Sequence, residues 1–295
     1  MNAKNIFVGL LLVAGAFFTS CEDPISVPSD FDEAQLVVDA WLTNTAEPQT
    51  IRLSRTVDYF TGGPSPQVSG ADIQVCNERT DQCYTFEETG AGEYTWTPTA
   101  GQTIGKVGDT YLFQMQVENN MYEAITSSRR TARVDSIQLT FEEESLILEE
   151  GLYAEMFAFD SIGRGDTYWI RAFKNGHLLN RPVENTIAWD ATFDQGADVD
   201  GTYFIAPIRL SINEIDDEGA FVPYEPGDEI YVEVHSISQE AFRFLSIALE
   251  QIQNEGLFAV PLANARGNVT NTETGDRILG IFNVAEVGSI TRTVE

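Results

Sequence analysis

Short runs in which apolar and polar side chains alternate fill residues 34–126, separated by Gly, Pro, Asn and Asp, the period of strands with one buried face. Thr50-Ile51-Arg52-Leu53-Ser54-Arg55 and Ala71-Asp72-Ile73-Gln74-Val75-Cys76 alternate in this way, and Asp109 to Val117 sets Tyr111, Phe113, Met115 and Val117 on one side. About seven such runs in roughly 90 residues predict an immunoglobulin-like or transthyretin-like β-sandwich.

A second β-rich domain is expected over 135–295, after a polar linker at 127–134. Its strand runs are Ser136 to Phe141, Tyr153 to Phe159, Thr167 to Phe173 and Glu229 to His235. Asn175-Gly176 marks a two-residue hairpin turn, since both residues tolerate positive φ. One helix is predicted at about 237–255. Ser236 and Gln239 fit a capping box, Ala241, Phe242, Leu245, Ala248, Leu249 and Ile252 form an apolar stripe, and Gly256 supplies the stop. That stripe is expected in the core, because a lone helix on a sheet must bury one face. The expected class is therefore mainly β: a sandwich, then a β-rich domain with one packed helix. Arg129, Arg130 and Arg133 make the linker basic, and are expected to pair with acidic neighbours in preference to docking an anionic partner.

The first 20 residues have a different character. Lys4 precedes an apolar run from Ile6 to Phe18, 13 residues long, where a bilayer span needs roughly 20. Residues 1–20 thus read as a cleaved export signal. Cys21, directly after Phe18-Thr19-Ser20, resembles the lipobox cysteine of bacterial lipoproteins, with Phe18 standing where Leu is usual. The alternative is an ordinary secretory signal, with Cys21 a thiol of the mature chain. Residues 21–33, polar, acidic and proline-bearing, suit a solvated tether. Acids directly after the lipid cysteine also resemble the surface-export signal of Bacteroidota lipoproteins.

Charge narrows the partners. With 46 acids against 17 bases the net charge is −29, and removing residues 1–20 leaves −30. Such a field repels nucleic-acid phosphates and anionic headgroups, so no nucleic-acid partner is expected. Acids crowd between Trp189 and Gly201, where Asp194, Asp198 and Asp200 are candidate ligands for calcium, a hard cation that takes oxygen donors. A solvated acidic loop is the simpler reading there. Cys76 and Cys83 flank a short polar loop between strand-like runs, a spacing that in an exported chain favours a disulfide over a metal pair.

Catalytic signatures are sparse. The two histidines, His177 and His235, lie in a turn and on a strand. There is no Gly-x-Ser-x-Gly elbow, no zinc-ligand spacing, no phosphate-binding glycine loop and no dinucleotide fingerprint. Paired carboxylates for glycoside cleavage are compatible with so many acids, and for that reason carry little weight.

Several phrases together resemble a known family: Leu36-Val37-Val38-Asp39-Ala40-Trp41-Leu42, Gln49 to Thr56, Val68-Ser69-Gly70-Ala71, Gly227 to Val232, Phe258-Ala259-Val260-Pro261, Asn264 to Val269 and Leu279-Gly280-Ile281-Phe282. They are similar to the Bacteroidota lipoproteins called the domain of unknown function 4249 family. The resemblance implies an outer-membrane lipoprotein encoded near TonB-dependent transporters, with no catalytic residues to carry over. The expectation is a non-enzymatic binding or assembly module, anchored through Cys21, accessory to a TonB-dependent outer-membrane barrel. A stand-alone glycan- or surface-binding lipoprotein, stacking sugars on Trp169, Trp189 and Tyr203, is the alternative. A carboxylate-based glycosidase comes third.

Overall fold

The computed structural model describes residues 33–58, 63–145, 148–193, 195–196, 198–253 and 265–295. The export signal, Cys21 and the tether as far as residue 32 lie outside the described residues, as do Asp194 and Gly256. Among the described residues no helix is long and apolar enough to cross a membrane.

The chain is mainly β with one α-helix. Seven strands precede residue 128: β1 (Leu36–Thr43), β2 (Gln49–Arg55), β3 (Asp72–Asn77), β4 (Gln82–Gly90), β5 (Glu93–Trp96), β6 (Thr110–Val117) and β7 (Asn120–Ser127). Two more join them from far along the chain, β14 (Thr270–Asn271) beside β7 and β15 (Leu279–Ala285) beside β1. The nine-stranded order is β14-β7-β6-β3-β4-β5-β2-β1-β15. Phe113 of β6 and Phe282 of β15 stand six places apart in that order, yet their rings meet at 5.1 Å. The sheet is therefore folded over on itself around one core, which takes the buried face of each alternating run: Val38, Ala40 and Leu42, then Ile51 and Leu53, then Ile73 and Val75. Each Val, Leu or Ile among them contributes roughly 1.5–3 kcal/mol on full burial.

The second unit packs a two-stranded sheet, β8 (Arg133–Glu142) with β9 (Gly151–Phe159), against a five-stranded one. The latter runs β11 (His177–Leu179), β10 (Thr167–Lys174), β13 (Glu229–Ser236), β16 (Val287–Thr293), with β12 (Thr186–Trp189) also paired to β10. Tyr168, Ile170 and Ala172 of β10 face the core with Ile230, Val232 and Val234 of β13. The β10–β11 turn is Asn175-Gly176, with φ of 53° and 78°.

Glu286 alone separates β15 in the first sheet from β16 in the second, so the two units are joined through adjacent strands. The Thr131 N–H donates to Glu286 Oε2 (2.9 Å), the Val287 N–H to Asn44 Oδ1 (3.0 Å), and Trp41 packs on Trp169 at 5.0 Å. The linker arginines are held within the chain. Arg129 donates to the Gly165 carbonyl, Arg130 to Asp166 and to the Ser161 and Gly163 carbonyls, and Arg133 to Asp135.

The helix α1 (Gln239–Gln253) begins later than its sequence pattern predicts. Ser238, not Ser236, is its cap: Ser238 Oγ accepts from the Ala241 N–H, while Ser236 Oγ accepts from the Glu286 N–H. Ala241 and Phe242 are buried, but Ile252 is 54 % exposed, so only the first turns of the stripe belong to the core.

Candidate functional site

Two connections of the second unit meet at one place. The β9–β10 loop leaves β9 at Asp160, and the long segment after β12 starts at Asp190 and carries Asp200 back toward β9. Backbone bonds stitch them together: Asp160 N–H to the Thr202 carbonyl, Asp190 N–H to the Asp166 carbonyl, and Ile205 N–H to the Ala191 carbonyl. One carboxylate oxygen from each of Asp160, Asp190 and Asp200 lies within 4.8 Å of the others.

Each carboxylate is oriented by donors from the loops. Asp190 takes the Gly165 and Asp166 N–H groups at 2.7 and 2.8 Å, Asp200 takes the Gly163 N–H at 2.9 Å, and Asp160 takes the Tyr168 hydroxyl at 2.5 Å and the Gly201 N–H at 3.3 Å. Burial pushes the Asp160 pKa up, with the Asp166 and Asp190 charges adding to the shift. Burial also raises Asp166, against the pull of Arg130, and raises the Tyr168 phenol, which Asp160 raises further. Asp160 is fully buried and Asp190 3 % exposed. Oxygen donors in this arrangement suit a hard cation, or attract a cationic side chain from outside.

Of the predicted ligands, Asp200 is in this cluster, Asp198 is turned outward and ion-paired with Arg164, and Asp194 lies outside the described residues. Asp160 was missed. It ends a strand that reads as core, and nothing local in the sequence marks it as facing an acidic loop 30 to 40 residues away.

Large apolar side chains stand exposed on the same two connections. Ile162 is 80 % exposed, Ile205 58 %, Tyr203 45 % and Phe193 39 %. Ile162 packs against Gly201, where φ is +67° and a Cβ would collide with it. Tyr203 lies edge-on to Phe159 at 5.2 Å, and its hydroxyl donates to Asp135, which raises its pKa. Of the three aromatics considered for sugar stacking, only Tyr203 is exposed. Trp169 is half-buried between Trp41 and the Arg171 guanidinium, and half-buried Trp189 meets Phe242 edge-on. Elsewhere a cleft of about 1020 Å³ runs between α1 and β1, lined by Leu36, Val37, Phe244, Ala248 and Leu279.

The remaining groups considered for chemistry are occupied or remote. Cys76 and Cys83 face each other in the β3–β4 register and form a disulfide, with Cα atoms 4.0 Å apart. His235 is 4 % exposed, its Nε2 bonded to Glu233 Oε2 at 2.8 Å; burial pushes its pKa down. His177 sits exposed at the β10–β11 turn.

Among curated proteins, none matches the chain at a significant level. A family model described as a domain of unknown function (DUF4249) matches residues 22–291. With nearly the whole chain covered, the protein belongs to the domain of unknown function 4249 family.

Proposed function

We propose that the protein is a non-enzymatic binding or assembly module, held at the outer membrane by a lipid on Cys21 and accessory to a TonB-dependent transporter barrel. One observation carries the recognition role: two units joined through adjacent strands carry four exposed large apolar side chains, Ile162, Phe193, Tyr203 and Ile205, on two connections that backbone hydrogen bonds tie together. Loops on a rigid scaffold are where binding residues concentrate. Of the groups that acyl-transfer chemistry would use, Cys76 and Cys83 are bridged, His235 is buried against Glu233, and His177 sits exposed at the β10–β11 turn. The anchor and the transporter association rest on the sequence around Cys21 and on the family resemblance.

The test is affinity purification of the tagged chain from detergent-solubilised host membranes, beside Cys21→Ser. The wild type should fractionate with the outer membrane and bring down a barrel in stoichiometric amount, and Cys21→Ser should become soluble. An unchanged distribution in Cys21→Ser, or a wild type that purifies alone, overturns the reading.

A second reading, calcium-assisted stability, is favoured by the Asp160, Asp190 and Asp200 carboxylates converging within 4.8 Å.

A further inference from the structure

The Cys76–Cys83 bridge joins two strands that are already held together without it. β3 pairs with β4 from Ile73–Phe86 to Asn77–Gln82 and with β6 from Asp72–Gln116 to Asn77–Tyr111, so the strand carrying Cys76 is laddered along both edges. On the inner face Ile73, Val75, Tyr84 and Phe86 are buried in the core. Backbone pairs and core contacts therefore keep the two cysteines opposite each other whether or not their sulfurs are joined.

Alternation turns the bridge outward, since Val75 and Tyr84, the neighbours of the cysteines, are the buried ones. The two sulfurs are not equally placed on that outer face. Cys76 is half-buried between β4 and β6, whereas Cys83 is exposed, and the pairing of β4 with β5 begins only at Glu87. A thiolate that displaces the Cys76 sulfur must reach Cys83 from the side away from β3, and at Cys83 β4 has no paired strand there among the described residues. Leu112 stands opposite Cys76, and Ile125, 56 % exposed, stands opposite Leu112. The chain carries 46 acids, yet this row of four side chains holds none to repel an anionic attacker.

We infer that Cys76–Cys83 is a thiol–disulfide exchange site, opened by a dithiol reductant through attack on the Cys83 sulfur and closed again by a disulfide oxidant, with the sheet intact throughout. Exposed bridges exchange, whereas buried structural ones resist reduction. In the first step a reductant thiolate bonds to Cys83 Sγ, the bridge breaks, and Cys76 leaves as a thiolate that takes a proton from water. The second thiol of the reductant then attacks its own sulfur in the mixed disulfide and releases Cys83. Two electrons have passed to the bridge, and the reductant has become a disulfide. This goes beyond the binding-module reading and needs neither the anchor nor the barrel.

The experiment uses the full chain with Cys21→Ser, which leaves the two bridge cysteines as the only ones. Dithiothreitol is added in native buffer and at urea concentrations below the unfolding transition, samples are quenched with iodoacetamide, and intact masses are read over time. The inference expects two alkyl groups per chain, an opening rate that does not rise with urea, an unchanged far-ultraviolet circular dichroism, and return of the bridge with oxidised glutathione. A second pair of variants fixes the route. With Cys76→Ser, the Cys83 thiol should react with the uncharged probe dithiodipyridine at least about tenfold faster than the Cys76 thiol does with Cys83→Ser, because access governs thiol reactivity. Opening only as urea approaches the transition, or loss of strand signal on reduction, overturns the inference. Equal thiol rates, or a faster Cys76, overturn the route through Cys83.

Discussion

Val38 and Gly280 face each other in the parallel ladder between β1 and β15, and the strands approach so closely that a Cβ on Gly280 would collide with the Val38 backbone. Gly280 also holds φ at +87°, a conformation that side-chain-bearing residues adopt at a cost. This contact brings a strand some 240 residues downstream into the first sheet.

Gly280→Ala should therefore lose about 3 kcal/mol or more, strain and collision together. Gly176→Ala provides the contrast: φ there is +78°, but nothing lies within 4 Å of the added carbon, so only the strain of about 1 kcal/mol remains. Urea midpoints of both variants measure the difference, and equal losses would show that the close approach is not what matters.

The Cys76–Cys83 bridge closes a small loop between residues already paired in the β3–β4 register. Chain-entropy reasoning gives such a loop about 2 kcal/mol. Cys76→Ser with Cys83→Ser should lower the unfolding free energy from urea titration by that much and leave the far-ultraviolet circular dichroism unchanged. A loss of strand signal would mean that the bridge, and not the ladder, sets the register.

Acid should act through Asp109. Its carboxylate is 4 % exposed, and hydrogen bonds from Arg79 and Asn77 hold its pKa down at about 2, below the ordinary 3.8. Because the folded value is the lower one, the unfolded chain takes up the proton first as pH falls. The stabilisation is present above pH 3.8 and lost progressively toward pH 2. Arg79→Ala should flatten that part of the stability profile relative to wild type, as read from thermal unfolding at successive pH values. Parallel profiles would show that the pair contributes nothing.

Calcium should raise the thermal transition. At a free concentration of about 100 times its Kd, mass action supplies about 2.7 kcal/mol, or roughly 5 °C for a chain of this size. Asp200→Asn, at the solvent side of the cluster, should abolish the shift. The same transition in calcium and in chelator would dispose of the calcium reading.

Much of the fold was legible because strands with one buried face print a period of two. Tyr111, Phe113, Met115 and Val117 are all buried on β6, as their alternation predicts. Asn175-Gly176 forms its turn, and the Cys76–Cys83 spacing its bridge. What pairs over long distances left no such trace. The parallel β1–β15 ladder depends on Gly280 allowing close approach, and the carboxylate cluster on Asp160 and Asp190 meeting across separate strand ends. The helix stripe extends past the buried region because α1 packs on the sheets through its first turns only, leaving Ile252 in water. Ser236 and Ser238 both suit a cap, and Glu286, remote in sequence, takes the first.

Recognition by a body anchored through Cys21 can be read in one native mass spectrum of the detergent-extracted wild-type protein. The expected species is a chain that begins at Cys21, carries the added mass of its acyl groups and flies as a stoichiometric complex with an outer-membrane barrel. An unacylated chain flying alone would overturn both the anchor and the partner.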